Sequence, residues 1–250
     1  MKILLIIQDD PFYLYDDIQI LIDNKDIEIK GVAVLDQKLP SDSYFKLITR
    51  YLNIFGTIGT IKLTRKAIYL KYIKKRIIDN IFKKNNIKVL KPKNINNYLF
   101  IEEVNNLNID LIISIACPQK ISNGLLKCAK KGGINLHGGY LPDFPGVFTP
   151  FWNLLNESEQ AGCTVHWINE QFDSGVIVDR IKFKINPKMS IMDIYSEISK
   201  NGMNLLSKSI KKIISNNYEP IANDYKKTSY NSFPTKYDRK LFKSKGCRAI

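Results

Sequence analysis

The chain opens on an unbroken apolar run, Lys2 to Ile7 in MKILLIIQDD, that stops at two acids. Similar short runs recur at Ile27 to Leu35, Leu111 to Ile115 and Gly133 to Leu136. Between them, apolar positions fall at the three- and four-residue intervals of amphipathic helices. Strand-type and helix-type segments in alternation predict an α/β fold, a Rossmann-like doubly wound, mostly parallel sheet with helices on both faces. Two later runs, Gly162 to Ile168 and Val176 to Ile185, flank a loop centred on Asp173 and Gly175 and predict a hairpin or a pair of late strands. A helix is predicted from Ser190 to Ser215, with Ser190 as N-cap and Asp193 in its first turn. The tail from Asn216 is polar, aromatic and basic. This pattern divides the chain into a core, residues 1–190, and a C-terminal helix and tail, residues 191–250, packed on it.

One stretch departs from the pattern. Residues 41–86 read as two helices broken around Gly56 and Gly59, rich in both isoleucine and lysine. A basic amphipathic helix of this kind suits an anionic membrane surface; it also suits a core-packing helix with a lysine outer face, which is the expectation taken here. No apolar run approaches the ~20 residues that a membrane span needs. The N-terminal run is too short for a signal peptide.

Composition changes this picture little. A chain of 250 residues has ample length for a real core. The net charge of +14 and pI near 9.5 suit a polyanion partner. The lysines, however, are spread along helices instead of forming one block, so a solvated surface is expected and nucleic acid is not expected as a partner. The four cysteines, Cys117, Cys128, Cys163 and Cys247, show no CxxC spacing and no pairing with histidine. Neither a zinc site nor a disulfide framework follows, and a reducing cytoplasm is the expected location.

The chemistry concentrates around the histidines, of which the chain has two. The first stands in INLHGGYLPDFPG, where Asn135 and His137 end a predicted strand. Residues two apart on a strand point the same way, and ligands of doubly wound sheets bind beyond the carboxyl ends of the strands. Gly138 and Gly139 follow, removing side chains where a substrate would approach. Asp173 is the carboxylate best placed in sequence to orient the imidazole. On spacing alone, the same residues could equally cap turns and satisfy strand ends. The second histidine, His166 in TVHWIN, reads as a structural histidine within the sheet.

INLHGGYLPDFPG, then TPFWNLL, then GCTVHWINEQFDSGVIV resembles the folate-dependent formyltransferases, a family that includes glycinamide ribonucleotide, methionyl-tRNA and nucleotide-sugar N-formyltransferases. Its members carry an Asn-x-His before Leu-Pro and a later Asp-x-Gly loop. Here Asp173 follows His137 by 36 residues, as the family spacing has it. The resemblance covers roughly residues 1–190 and implies that Asn135, His137 and Asp173 form a catalytic triad. It further implies N10-formyltetrahydrofolate as co-substrate, held by Gln119, Lys120 and Ile121 on one side and by Glu170 and Phe172 on the other, with no metal.

The resemblance also bears on the acceptor. IIQDDPFYLYDD lacks the glycine-rich phosphate loop of glycinamide ribonucleotide transformylases, and no β-barrel of the methionyl-tRNA type follows the core. The short enzymes that formylate nucleotide-linked 4-amino-4,6-dideoxyhexoses for O-antigen and other surface polysaccharides match best, in QDDPFYL and in the aromatic, basic tail. That match implies a dTDP- or GDP-linked amino sugar as substrate, contacted by Asp10, Phe12, Gly138 and Gly139, and leaves room for a homodimer. Asp10 equally reads as the cap of a helix opening at Pro11. Two other readings stay open: hydrolysis of formyl-folate at the same triad, and a basic nucleic-acid- or membrane-surface-binding protein.

Overall fold

The computed structural model describes residues 1–38, 42–186 and 188–250; Ser41, at the head of the basic stretch, lies outside them. In chain order the strands and α-helices are β1 (Lys2–Gln8), α1 (Leu14–Asp17), α2 (Gln19–Ile22), β2 (Glu28–Leu35), α3 (Tyr44–Ile68), α4 (Ile78–Lys84), β3 (Val89–Leu90), α5 (Tyr98–Asn105), β4 (Leu111–Ile115), α6 (Asn123–Leu126), β5 (Gly133–His137), α7 (Thr149–Leu155), β6 (Gln160–Trp167), β7 (Ile177–Lys184), α8 (Ile191–Ser215) and α9 (Lys236–Ser244). Among the described residues the strands form one seven-stranded sheet in the order β3-β2-β1-β4-β5-β6-β7. Strands β1 to β5 are parallel, while β6 runs antiparallel to both β5 and β7.

The predicted doubly wound fold and the late hairpin are therefore both present. β3 is not among the predicted strands. It is two residues long between Lys88 and Lys91, too short to show a period.

β1 lies at the centre and is covered on both sides, which is why its sequence is a continuous apolar run and does not alternate. Ile3, Leu5 and Ile7 share one core with Ile113 and Ile115 of β4, Ile134 and Leu136 of β5, and the inner face of α8. Leu4 and Ile6 point the other way, to Ile112, Phe100 and Val104. The same alternation sends Cys163 and Val165 of β6 to the first core. Asn135 and His137 on β5, and Thr164 and His166 on β6, must then share the opposite face. The loops after β5 and before β7 cover that face, so the polar residues of both strands meet under loops.

α8 forms as expected. Ser190 accepts a bond from Asp193 N, and the Asp193 carboxylate accepts one from Ser190 N, a reciprocal capping box.

The basic stretch differs from expectation in its outer face. The predicted break is real: Gly56, with φ 69°, takes a backbone conformation that suits glycine, inside α3. A single π-helical turn, Tyr69–Ile73, continues that helix. But α3 buries few side chains, chiefly Ile54, Phe55 and Leu63. Phe45, Ile48, Ile58, Ile61, Ile68, Tyr72 and Ile73 are all exposed. The face expected to be lysine is lysine interleaved with large apolar groups.

Candidate active site

β5 and β6 bring the polar residues together through their register. Asn135 pairs directly with His166, and His137 with Thr164. Asn135 Nδ2 stands 3.2 Å from His166 Nε2, and His166 Nδ1 stands 2.9 Å from the Trp167 carbonyl. A carbonyl only accepts, so Nδ1 carries a proton, and Nε2 is the ring nitrogen turned toward Asn135. The sequence favours a purely structural His166. The Trp167 bond is that structural bond, yet the other ring nitrogen lies within the site.

His137 is held at both nitrogens. Nε2 lies 2.8 Å from the Phe144 carbonyl, and Nδ1 lies 3.4 Å from Asp173 Oδ1. Both neighbours are acceptors, so a neutral ring satisfies only one of them and an imidazolium satisfies both. Asp173 Oδ1 is also 3.7 Å from His166 Nε2, so one carboxylate oxygen faces both imidazoles. Its second oxygen accepts the Gly146 N–H at 2.8 Å. Burial pushes the Asp173 carboxyl up, but the His137 charge, the approach of His166 and the Gly146 N–H together bring it down to about 2.

Backbone geometry supports this arrangement. Asp173 sits at φ 51°, a left-handed conformation that aspartate tolerates better than most residues. Asn223 in the tail donates through Nδ2 to the carbonyls of Asp173 (2.9 Å) and Gly175 (3.0 Å). Asn231 pairs with the backbone around Gly146, its N–H on Pro145 and its carbonyl accepting from Val147. The tail therefore braces the backbone of Asp173 itself and the backbone around Gly146, whose N–H the carboxylate accepts. Tyr230, half exposed, is close enough that the Asp173 charge adds to burial in raising its phenol to about 12. None of these tail residues carries a motif. Their role depends on long-range pairing that no local pattern encodes.

The expected neighbours of the triad fall less simply. At Gly138 and Gly139, protein atoms stand close to where a side chain would be. A Cβ on Gly139 would lie 2.4 Å from the Phe144 carbonyl and 2.7 Å from His137 Nε2, and one on Gly138 would lie 3.3 Å from Ile198. The room is filled by protein, and Gly139 is what lets the Phe144 carbonyl reach His137. Asp10 acts as a cap, accepting the N–H groups of Phe12, Tyr13 and Leu14 at 2.7, 3.4 and 3.3 Å. Burial raises its carboxyl, and those bonds oppose the rise. Phe12 is partly buried beside it, with Arg76 on its carbonyl and Lys66 over its ring.

On the other side, Gln119 bonds through its side chain to Ile95 N and the Lys93 carbonyl, and the Lys120 carbonyl accepts from Asn96. Ile121 is buried in the second core. Glu170 accepts from Asn123 at 3.1 Å, which ties the 169–173 loop to the start of α6, and Phe172 is exposed beside it. Among the described residues, no three His, Cys, Asp or Glu side chains gather as metal ligands.

The arrangement comprises a half-buried amide, two imidazoles and one buried carboxylate that faces them both. It lies on β5, beside β4, close to where the strand order reverses between β1 and β4. The formyl transferase family model matches residues 58–210, more than half of the chain.

The chain belongs to the formyl transferase family.

Its relatives in that family include the bifunctional polymyxin resistance protein ArnA of Wigglesworthia glossinidia brevipalpis, 31% identical over 156 residues, which are 62% of this chain and 23% of that protein. Methionyl-tRNA formyltransferase of Bacillus velezensis is 30% identical over 147 residues, 59% of this chain and 46% of the other. The chain thus spans less than half the length of these curated relatives. Among solved structures, the N-formyltransferase of Helicobacter canadensis in complex with folinic acid and dTDP-3-aminofucose superposes with a TM-score of 0.60 at 22% identity, covering 93% of this chain and 71% of that one. At that identity the likeness is one of fold.

Two outcomes test the clamp. Because the folded Asp173 ionises at lower pH than in the unfolded chain, its ionisation stabilises the fold above the unfolded value near 3.8, and that contribution is lost as pH falls towards 2. Urea titrations of wild type and Asp173→Asn should therefore diverge in pH dependence across this window, by on the order of 2 kcal/mol; parallel curves would contradict the ion pairing. Asn223→Ala should cost roughly 1–3 kcal/mol of stability and shift the 15N ring resonances of His137 and His166, which are simple to assign because the chain has two histidines. Unmoved resonances would mean that the tail does not hold the carboxylate.

Proposed function

We propose that this chain transfers the formyl group of N10-formyltetrahydrofolate to the amine of a nucleotide-linked amino sugar. The observation that carries the reading is the single Asp173 carboxylate shared by two imidazoles beside the Asn135 amide. Acyl transfer between nitrogens needs a donor for the oxyanion, a group that handles the proton and a means of holding that group charged, and these residues supply all three.

In this reading the acceptor amine attacks the formyl carbon, and the carbonyl oxygen becomes an oxyanion. Asn135 has a second amide hydrogen beyond the one directed at His166, and of the three triad residues it is the one with solvent access. A donor so placed contributes on the order of 3 kcal/mol to the transition state. The C–N10 bond then breaks, N10 takes a proton and the amine gives one up. His137 mediates that exchange once its Nε2 trades the Phe144 carbonyl for substrate, giving a proton to N10 and taking one from the amine, while Asp173 at Nδ1 orients the ring and balances the charge it carries in passing. Such acid–base assistance is worth roughly 10² to 10⁴ in rate.

The donor's pterin is assigned to the cleft between residues 119–121 and the 169–173 loop, with Glu170 and Phe172 on its far wall. Support for a nucleotide sugar as acceptor is of a different kind. QDDPFYL replaces a glycine-rich phosphate loop, and the Helicobacter canadensis enzyme of the same fold was solved with dTDP-3-aminofucose. Asp10 and Phe12 at the end of β1 and the loop around Gly138 and Gly139 are placed on the acceptor side. The product would serve O-antigen or other surface polysaccharide synthesis.

The test is a panel of dTDP-, GDP- and UDP-linked amino sugars incubated with the chain and N10-formyltetrahydrofolate, read by mass spectrometry. Formylation of one member is the expected result. Formate release without any acceptor would instead identify a hydrolase.

A further inference from the structure

The outer face of α3, continued by the π-helical turn after it, sets large apolar side chains in water. Ile58, Ile61, Ile68 and Tyr72 are 74, 54, 53 and 68% exposed. They lie at positions i, i+3, i+10 and i+14, which keeps them on one side of a helix. Arg65 occupies i+7, and Tyr69 and Ile73 extend the same stripe. Over 15 residues the stripe runs about 22 Å. Isolated surface isoleucines need no explanation, but an aligned row of this length, interrupted by Arg65, marks an interaction site.

Charge selects the partner. Residues 44–78 contain nine Lys and Arg and no Asp or Glu. Of these cations, Lys62, Arg65, Lys66, Lys74 and Lys75 are exposed along or beside the stripe. A second copy of this chain would bring the same positive field against it. A nucleic acid would match the charge but leave the isoleucines without apolar contact. An anionic bilayer matches both, taking aliphatic and tyrosine side chains into its acyl boundary while lysines reach its head groups. The helix that presents the stripe is anchored at its far end: Lys71 pairs with Asp9 at 2.5 Å, and Arg76 bonds the Phe12 carbonyl at 3.3 Å. It is thus fixed to the β1–α1 loop. No helix of the described residues is long and apolar enough to cross a membrane, so contact would be at the surface.

We infer that the outer face of α3, from Ile58 to Ile73, docks the protein on an anionic membrane surface. This does not rest on the acceptor or on the formyl-transfer reading. Docking would set the β1–α1 loop, and with it the Asp10 side of the crevice, near the bilayer.

The test is flotation of the full chain with phosphatidylcholine vesicles and with vesicles containing roughly 30% phosphatidylglycerol, at low and high salt. The chain should float with the anionic vesicles, stay behind with the neutral ones and lose most of its binding at high salt. Two variants separate the apolar and charged contributions: Ile61→Ser with Ile68→Ser, and Lys62→Glu with Arg65→Glu. Each should weaken binding to the anionic vesicles at least about tenfold, the first by removing apolar contact and the second by reversing charge that the lipid attracts, with an unchanged circular dichroism spectrum. All these side chains are exposed, so folding is not at stake. The proposal is overturned by equal binding to neutral vesicles, by variants that float as wild type does, by sedimentation velocity showing a dimer that Ile61→Ser with Ile68→Ser dissociates, or by salt-sensitive RNA binding without vesicle binding.

Discussion

One buried carboxylate organises the candidate site. Asp173 faces His137 and His166 through a single oxygen and is held through the other by the Gly146 N–H. A carboxylate in such a place would ordinarily take up a proton. It stays charged because two imidazoles and a backbone amide surround it, and its charge in turn decides what those imidazoles do. The Phe144 carbonyl, the glycine that admits it to His137 and the C-terminal tail all pack around this group.

The sheet was legible in sequence because its physics is local. β1 is central and covered on both faces, so it reads as an unbroken apolar run, and α8 announces itself through Ser190 and Asp193. The meeting of Asn135, His137 and Asp173 was legible for a different reason. Asn135 and His137 lie two apart on one strand, and Asp173 lies at a family interval, so a resemblance could name what spacing alone left open. The clamp was not legible. Asn223 and Asn231 act through pairing across more than 40 residues with backbone groups whose identity leaves no trace in sequence. His166 sits between these cases: its strand was predicted, but only the antiparallel register with β5 shows that it faces Asn135.

Asp10, Gly138 and Gly139 also carry backbone roles, and of these only the cap at Asp10 is legible from its position in the sequence. Asp10 caps a loop, Gly138 lies against Ile198, and Gly139 admits the Phe144 carbonyl to His137. Small and acidic residues at strand ends answer to backbone geometry before they answer to ligands. α3 departs from its expectation. A lysine-rich helix was expected to hide its isoleucines, but it enters the core chiefly through Ile54, Phe55 and Leu63 and leaves Ile58, Ile61 and Ile68 outside.

The central claim is that the Asp173-held imidazole of His137 carries out acyl-transfer chemistry, and a single substitution tests it most directly. His137→Ala should bind N10-formyltetrahydrofolate as the wild type does, measured by equilibrium titration, while steady-state formyl transfer to the accepted amino sugar falls by about 10³-fold or more. Turnover near the wild-type rate, with the donor bound normally, would contradict the account.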